Sequence, residues 1–131
     1  MMNRRKDHHE KIDYIEFPAT DMAAARAFFT EVFNWSFQDF GGAYMAFSGA
    51  GVDGGFFRSE LTVRAAGGSA LVVFYSAGLE QTQAKIERAG GAIVKPVFSF
   101  PGGRRFHFTD PNGNEYAVWS DLDADGRAIA V

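Results

Sequence analysis

The sequence predicts an α+β fold made of two β-α-β-β-β modules. Two observations support this prediction. The order of one strand, one helix and three strands occurs twice, and the two helices have matching limits, since Asn34 lies 13 positions after Asp21 and Gly91 lies 13 positions after Gly78. A constant offset of 57 residues relates the modules within a chain of 131 residues, which suits one domain. Each module is too small to bury its own sheet, so we expect the two modules to share a core and to leave a concavity between them.

The first module is expected over residues 11–57. Residues 11–18 read KIDYIEFP and alternate in polarity as a strand does, and Pro18 is expected to end that strand. Thr20 or Asp21 then caps a helix with apolar side chains at spacings of three and four, and Asn34 suits its exit. Three short strands follow between glycine-rich turns, at 35–40, 44–47 and 52–57.

The second module is expected over residues 69–120, after a linker at 58–68. The run ALVVFYS at 70–76 is nearly all apolar, which is typical of a strand buried on both faces. A helix at 79–89 ends at Gly90-Gly91. Strands are expected at 92–98, 104–109 and 115–120. The single domain thus spans 11–121, between a flexible N-terminal arm at 1–10 and a C-terminal tail at 122–131.

Composition and charge exclude several classes of function. The net charge of −3 is spread along the chain without a basic cluster, so we expect no nucleic-acid partner. No apolar run is long enough for a membrane span. The absence of cysteine excludes disulfides and thiolate metal sites and fits a cytoplasmic location. The 14 phenylalanines are enough to fill a core and also to line an apolar cavity.

Three segments resemble one family, the vicinal oxygen chelate superfamily of glyoxalase I, bleomycin-resistance proteins and extradiol dioxygenases. They read IDYIEFPATDMAAARAFFTEVFNW at 12–35, KIERAGGAIV at 85–94 and FTDPNGNEYAVW at 108–119. The resemblance implies a curled mixed sheet with a cup-like cavity, as in glyoxalases, and a homodimer. Catalytic members hold a divalent metal in the cup, and non-catalytic members use the same cup to sequester a drug.

The resemblance also implies where metal ligands would lie, and none of these positions carries a usual ligand. They are Tyr14, Leu71, Ala117 and Gly54 or Gly55, of which we take Gly55. A zinc, nickel or iron site needs about three or four converging nitrogen or oxygen ligands. A tyrosine alone would have to lose a proton at a pKa near ~10. We therefore expect no metal cofactor.

The emptied cup is expected to be lined by aromatic and carboxylate side chains. Strand alternation places six candidate ligand-binding residues on the cup face or beside it: Tyr14, Glu16, Tyr75, His107, Glu115 and Trp119. Such a lining suits a small molecule that is aromatic or cationic. An inward Glu16 needs a partner, for which Arg104 and Arg105 are the nearest candidates in sequence. His107 could act as a general base, although an outward, solvated or intersheet histidine fits the pattern better.

These observations favour a metal-independent small-molecule-binding protein. One alternative is a divalent-metal-dependent lyase, isomerase or dioxygenase that uses relocated ligands such as Glu16, His107 and Glu115. Another is a cup filled by its own tyrosine and tryptophan side chains, with a structural or partner-binding role.

Overall fold

The computed structural model describes residues 4–131 and confirms the α+β fold with two modules; residues 1–3 of the predicted arm lie outside the described residues. The first module contains β1 (Tyr14–Ala19), α1 (Met22–Phe33), β2 (Ser36–Asp39), β3 (Tyr44–Ser48) and β4 (Asp53–Arg58). The second contains β5 (Val72–Tyr75), α2 (Leu79–Arg88), β6 (Ala92–Phe100), β7 (Gly103–Thr109) and β8 (Glu115–Ser120). Two short 3₁₀ helices lie at Arg4–His8 and Ala65–Gly67.

Each module forms its own four-stranded sheet, and the two sheets have the same topology. Sheet one has the order β1-β4-β3-β2, and sheet two has the equivalent order β5-β8-β7-β6. The first and last strands of each module pair in parallel, and the remaining pairs are antiparallel. Because β1 and β5 each have one neighbour, both are edge strands.

Both helices and the inner faces of both sheets share one core. Ile15 and Phe17 of β1 and Tyr116 and Val118 of β8 point into this core. The Phe29 ring of α1 contacts aromatic rings of both modules. Since side chains alternate along a strand, the residues between these point to the opposite side of each sheet, which we call its outer face.

Two local expectations were wrong, each for an identifiable reason. The first strand does not end at Pro18 but continues to Ala19, which an edge strand permits because the missing N–H can face away from its one neighbour. The apolar run of β5 is not buried on both faces, since Tyr75 is 53% exposed and Val73 is 42% exposed on the outer side.

Segments expected to be linker and tail are tied to the second module. In the linker, the Ala65 N–H donates to Glu115 Oε1, and the Val63 carbonyl accepts from the Glu115 N–H. In the tail, the Leu122 carbonyl accepts from the Arg104 guanidinium at 3.0 Å. These bonds place both segments against strands β7 and β8.

The turn DPNGN at 110–114 joins the two modules. Asn114 donates from Nδ2 to the Pro18 carbonyl at 2.7 Å and accepts at Oδ1 from the Val63 N–H at 2.9 Å. Asn112 accepts at Oδ1 from the Asp21 N–H at 2.8 Å and donates from Nδ2 to the Asp21 carbonyl at 3.0 Å. The amides of the last turn of module two are therefore bonded to the strand–helix corner of module one.

Candidate functional site

The six predicted residues lie on two different outer faces. Tyr14 and Glu16 lie on the outer face of sheet one, on the side opposite the core-facing Phe17. The other four lie on the outer face of sheet two: Tyr75, His107, Glu115 and Trp119. The shared core separates these faces, so one chain does not gather the six side chains in a single cavity. Their role in binding a ligand stays a prediction.

On sheet one, two tyrosines and a glutamate form a hydrogen-bonded chain. The Tyr14 and Tyr44 hydroxyls are 2.7 Å apart, and Tyr44 donates to Glu16 Oε2 at 2.8 Å. Burial and the bonds to Tyr14 and Glu16 raise the pKa of Tyr44 far above its usual value, so Tyr44 stays a neutral donor. The expected partners of Glu16 were wrong: Arg104 binds Glu80 instead, at 2.5 Å.

The residues at the family's metal positions do not fit a metal ion. Gly55 pairs with Glu16 across β1 and β4, and a Cβ atom at Gly55 would lie 2.2 Å from the Tyr44 hydroxyl oxygen. The tyrosine therefore occupies the space that a longer side chain at position 55 would need. Among residues 4–131, no three His, Cys, Asp or Glu side chains gather into a group that could hold a metal ion.

On sheet two, His107 and Glu115 form a buried pair. His107 lies on the outer face but is 4% exposed, so of the expected outward, solvated or intersheet settings the solvated one is wrong. Its Nδ1 lies 2.9 Å from Glu115 Oε2, and Glu115 Oε1 accepts from the Ala65 N–H. An ionised carboxylate can only accept, so Nδ1 carries the proton and Nε2 is the atom left for a ligand. That Nε2 is buried and has no hydrogen-bond partner among the described residues.

The His107–Glu115 pair predicts a pH-dependent stability. The bond from His107 lowers the pKa of Glu115 below its ordinary 4.5 in the folded state, so the stabilisation is complete above pH 4.5 and lost as pH falls through the lowered value. We expect Glu115→Gln to cost about 1–2 kcal/mol of unfolding free energy at pH 7 and progressively less below pH 4.5. Urea unfolding of both proteins between pH 7 and pH 3 measures this difference.

The matched control for that experiment is Glu60→Gln. Glu60 is exposed in the linker, so its replacement should change the free energy of unfolding by less than about 0.5 kcal/mol at every pH. A gap between the native protein and Glu115→Gln that stays constant with pH would contradict the assigned role of the carboxylate.

Tyr75 and Trp119 form an aromatic pair beside the histidine. Their ring centroids are 5.4 Å apart in an edge-to-face arrangement. Tyr75 donates to Asp121 Oδ1 at 2.6 Å, and this bond raises the pKa of the phenol. Tyr75 stays largely exposed. In a single chain, tyrosine and tryptophan side chains therefore do not fill this face as the filled-cup alternative expects.

Two depressions are candidate binding volumes. One, of about 350 Å³, lies on sheet one and includes Tyr14, Gln38 and Ala46 in its lining. The other, of about 490 Å³, opens between edge strands β1 and β5 and is walled by apolar side chains, among them the core aromatics Phe17, Trp35 and Phe47. Both volumes fall in the range of small-molecule sites.

The fold and the site together define a class of protein: paired β-α-β-β-β modules with aromatic side chains on their outer faces. A family model described as the Glyoxalase/Bleomycin resistance protein/Dioxygenase superfamily matches residues 11–118, and the chain belongs to this superfamily. Among curated protein sequences, none is significantly similar to this chain. No helix within residues 4–131 is long and apolar enough to cross a membrane.

Several solved structures share the fold. A genomically encoded fosfomycin resistance protein from Listeria monocytogenes has a TM-score of 0.71 at 16% identity, over 90% of this chain and 98% of its own. A glyoxalase-related enzyme from Fulvimarina pelagi has a TM-score of 0.70 at 17% identity, over 93% and 99%. A family enzyme from Burkholderia phytofirmans PsJN has 0.69 at 13% identity, over 83% and 97%. At these identities the likeness shows the fold alone.

Sequence reasoning missed residues on both outer faces. Tyr44 lies 28 residues from Glu16 along the chain, and nothing local pairs them. Phe98 contacts the His107 ring at 6.0 Å because β6 is irregular, which strand alternation alone does not reveal. The β3–β4 pairing would have placed Tyr44, had its register been known.

Proposed function

We propose that this protein is a metal-independent small-molecule-binding protein of the cytoplasm that works as a homodimer. Each cup combines the outer face of sheet one from one chain with the outer face of sheet two from the other. One observation carries the proposal: the residues suited to a cup are divided between two faces that the core of one chain keeps apart. Pairing between two chains is the arrangement that brings them together.

The exposed side chains along the two edge strands support a dimer. Tyr14 on β1 and Tyr75 on β5 are 42% and 53% exposed, and Ile12, just before β1, is 75% exposed. Adjacent exposed apolar side chains beside unpaired strand edges are typical of surfaces that a partner covers. A twofold pair would cover both edges with the same contacts.

The chemistry of the two faces supports an aromatic ligand. The face of sheet one contributes the phenols of Tyr14 and Tyr44, and the face of sheet two contributes Trp119 beside Tyr75. Aromatic walls with a few polar anchors are the usual lining of a small-molecule site.

Metal independence is proposed from the donor set. Tyr14, Gly55, Leu71 and Ala117 supply no usual ligand, and Tyr44 fills the space beside Gly55. The alternative, a metal-dependent enzyme with relocated ligands, would depend on the dimer, because the dimer would bring Glu16 of one chain towards the His107–Glu115 pair of the other. In that pair Glu115 already accepts from His107 Nδ1 and from the Ala65 N–H, so such a metal site would rest on His107 Nε2 and Glu16, fewer than the three or four ligands that a metal site needs.

Mixed dimers test the proposal directly. Tyr14→Ala and Trp119→Ala should each weaken binding of the dye 8-anilinonaphthalene-1-sulfonate as homodimers, because each removes one wall of both cups. Unfolding and refolding them together should form heterodimers in which one cup carries both changes and the other neither. About a quarter of all cups then regain native affinity, provided chains pair at random.

The outcomes separate the possibilities. A monomer by light scattering, or mixed dimers that regain no affinity, would contradict the shared cup. Copurification of about one tightly held Zn²⁺, Ni²⁺, Fe²⁺ or Mn²⁺ per chain, measured by mass spectrometry on protein prepared without chelator, would favour the metal-dependent enzyme instead. A retained metal that Glu16→Gln releases would identify the relocated site.

A further inference from the structure

We propose that the outer face of sheet two holds a subsite for the acidic group of an aromatic organic acid, formed by Arg105 and Lys95 beside Phe98. This inference rests on the proposed function, because it names the ligand class for one half of the same cup. It also changes the expected charge of the ligand, which the sequence suggested to be aromatic or cationic.

Two cations lie beside one aromatic ring on the outer face of sheet two. The Arg105 guanidinium carbon lies 5.3 Å from the centroid of the Phe98 ring, and Lys95 Nζ lies 5.6 Å from the same centroid. Both contacts are of the cation–π kind. Two like charges held against one ring repel each other, and an anion beside both relieves that repulsion.

Neither of these two cations has an acidic partner among the described residues. Arg26 binds Asp39 at 2.6 Å and Arg104 binds Glu80, whereas no carboxylate lies within ion-pair distance of Arg105 or Lys95 in the part of the chain that the structure describes. The Arg105 Nε is buried and has no hydrogen-bond acceptor there. A buried N–H without an acceptor is costly, and a ligand carboxylate next to this guanidinium would supply one.

An irregular stretch of β6 brings Lys95 and Phe98 together. Lys95 and Phe98 are three residues apart, so regular alternation would put them on opposite faces of β6. The pairing of β6 with β7 shifts register between Ile93 and Lys95 and again between Lys95 and Phe98. Such irregularities re-aim side chains and are frequent beside binding sites. Here they bring Lys95 and Phe98 to the same side.

An aromatic surface lies beside the two cations. Arg105 lies directly opposite Trp119 in the β7–β8 register, and Trp119 contacts Tyr75. A ring stacked on Trp119 could place its carboxylate on Arg105. The nearby Glu115 carboxylate is already bound by His107 and by the Ala65 N–H, so its charge is partly neutralised. The His107 ring, whose Nε2 is also buried without a partner among the described residues, lies with its centroid 6.0 Å from that of the same Phe98 ring.

The experiment compares three probes of one shape and different charge: benzoate, benzamide and benzamidinium, titrated into the native homodimer by calorimetry. We expect benzoate to bind most tightly. Arg105→Gln should weaken benzoate by about tenfold or more and benzamide little, because a charge-assisted hydrogen bond is lost. Lys95→Gln should weaken benzoate by roughly two- to fivefold, since this exposed ammonium is screened by water.

The matched control is Arg88→Gln, which removes the same charge from the exposed end of α2. It should leave benzoate affinity unchanged, so that a loss in Arg105→Gln is not an effect of net charge. Equal binding of benzoate and benzamide, or tighter binding of benzamidinium, overturns the acid subsite while leaving an aromatic cup. No binding of any of the three overturns both the subsite and the aromatic cup. If Arg105→Gln fails to fold, Lys95→Gln and the ranking of the probes decide.

Discussion

Replacing Phe29 by alanine is expected to lower the free energy of unfolding by about 3–5 kcal/mol, the largest effect we foresee for one residue. Phe29 is completely buried on α1. Its ring stacks on Trp35 with centroids 4.4 Å apart and contacts Phe56 of β4 at 5.6 Å and Tyr116 of β8 at 5.5 Å. Removing it therefore leaves a cavity at the point where both modules meet.

The cavity argument is tested by urea unfolding of a graded pair. Phe29→Leu keeps most of the side-chain volume. Its free energy of unfolding should therefore lie less than about 1.5 kcal/mol below that of the native protein. Phe40→Ala is the surface control, since Phe40 is 56% exposed and should lie within about 0.5 kcal/mol of the native value. Equal losses for the alanine and leucine variants would show that the site relaxes around the change, contrary to a close-packed core.

The element order was predictable because its signals are local. Asp21 caps α1 by accepting from the Ala24 N–H, and Asn34 ends it in the left-handed conformation at φ 60°. The last strand, β8, begins and ends where alternation and the preceding turn place it. Capping and turn residues act over a few positions of the chain, so one sequence is enough to read them.

The site was predictable only in part, because its geometry depends on contacts between distant residues. Alternation correctly assigns Glu16 to the same face of β1 as Tyr14, but it cannot tell on which side of the molecule the second module presents Trp119. The acceptor role of Glu16 towards Tyr44 depends on the order of strands in sheet one. The cluster around Phe98 depends on a register shift that leaves no simple sequence signal beyond a proline at position 96.

Replacing Asn114 by alanine is expected to lower the free energy of unfolding by about 2–4 kcal/mol, because one buried and one part-buried backbone group lose their partners. Asn114 is completely buried, and its side chain bonds the Pro18 carbonyl of β1 and the Val63 N–H of the linker. Tyr116, whose pKa burial raises well above 10.0, donates to Asp110 and supports the same turn. The turn thus joins the modules, in addition to reversing the chain.

The comparison that tests this role is Asn112→Ala in the same turn. Asn112 binds Asp21 in a partly exposed setting, where water can replace the lost partner, so its removal should cost only about 0.5–1.5 kcal/mol. Because both amides bind the same corner of module one, the double variant should depart from additivity by about 0.5 kcal/mol or more. An Asn114→Ala loss no larger than that of Asn112→Ala, measured by urea unfolding, would mean that the shared aromatic core alone holds the modules together.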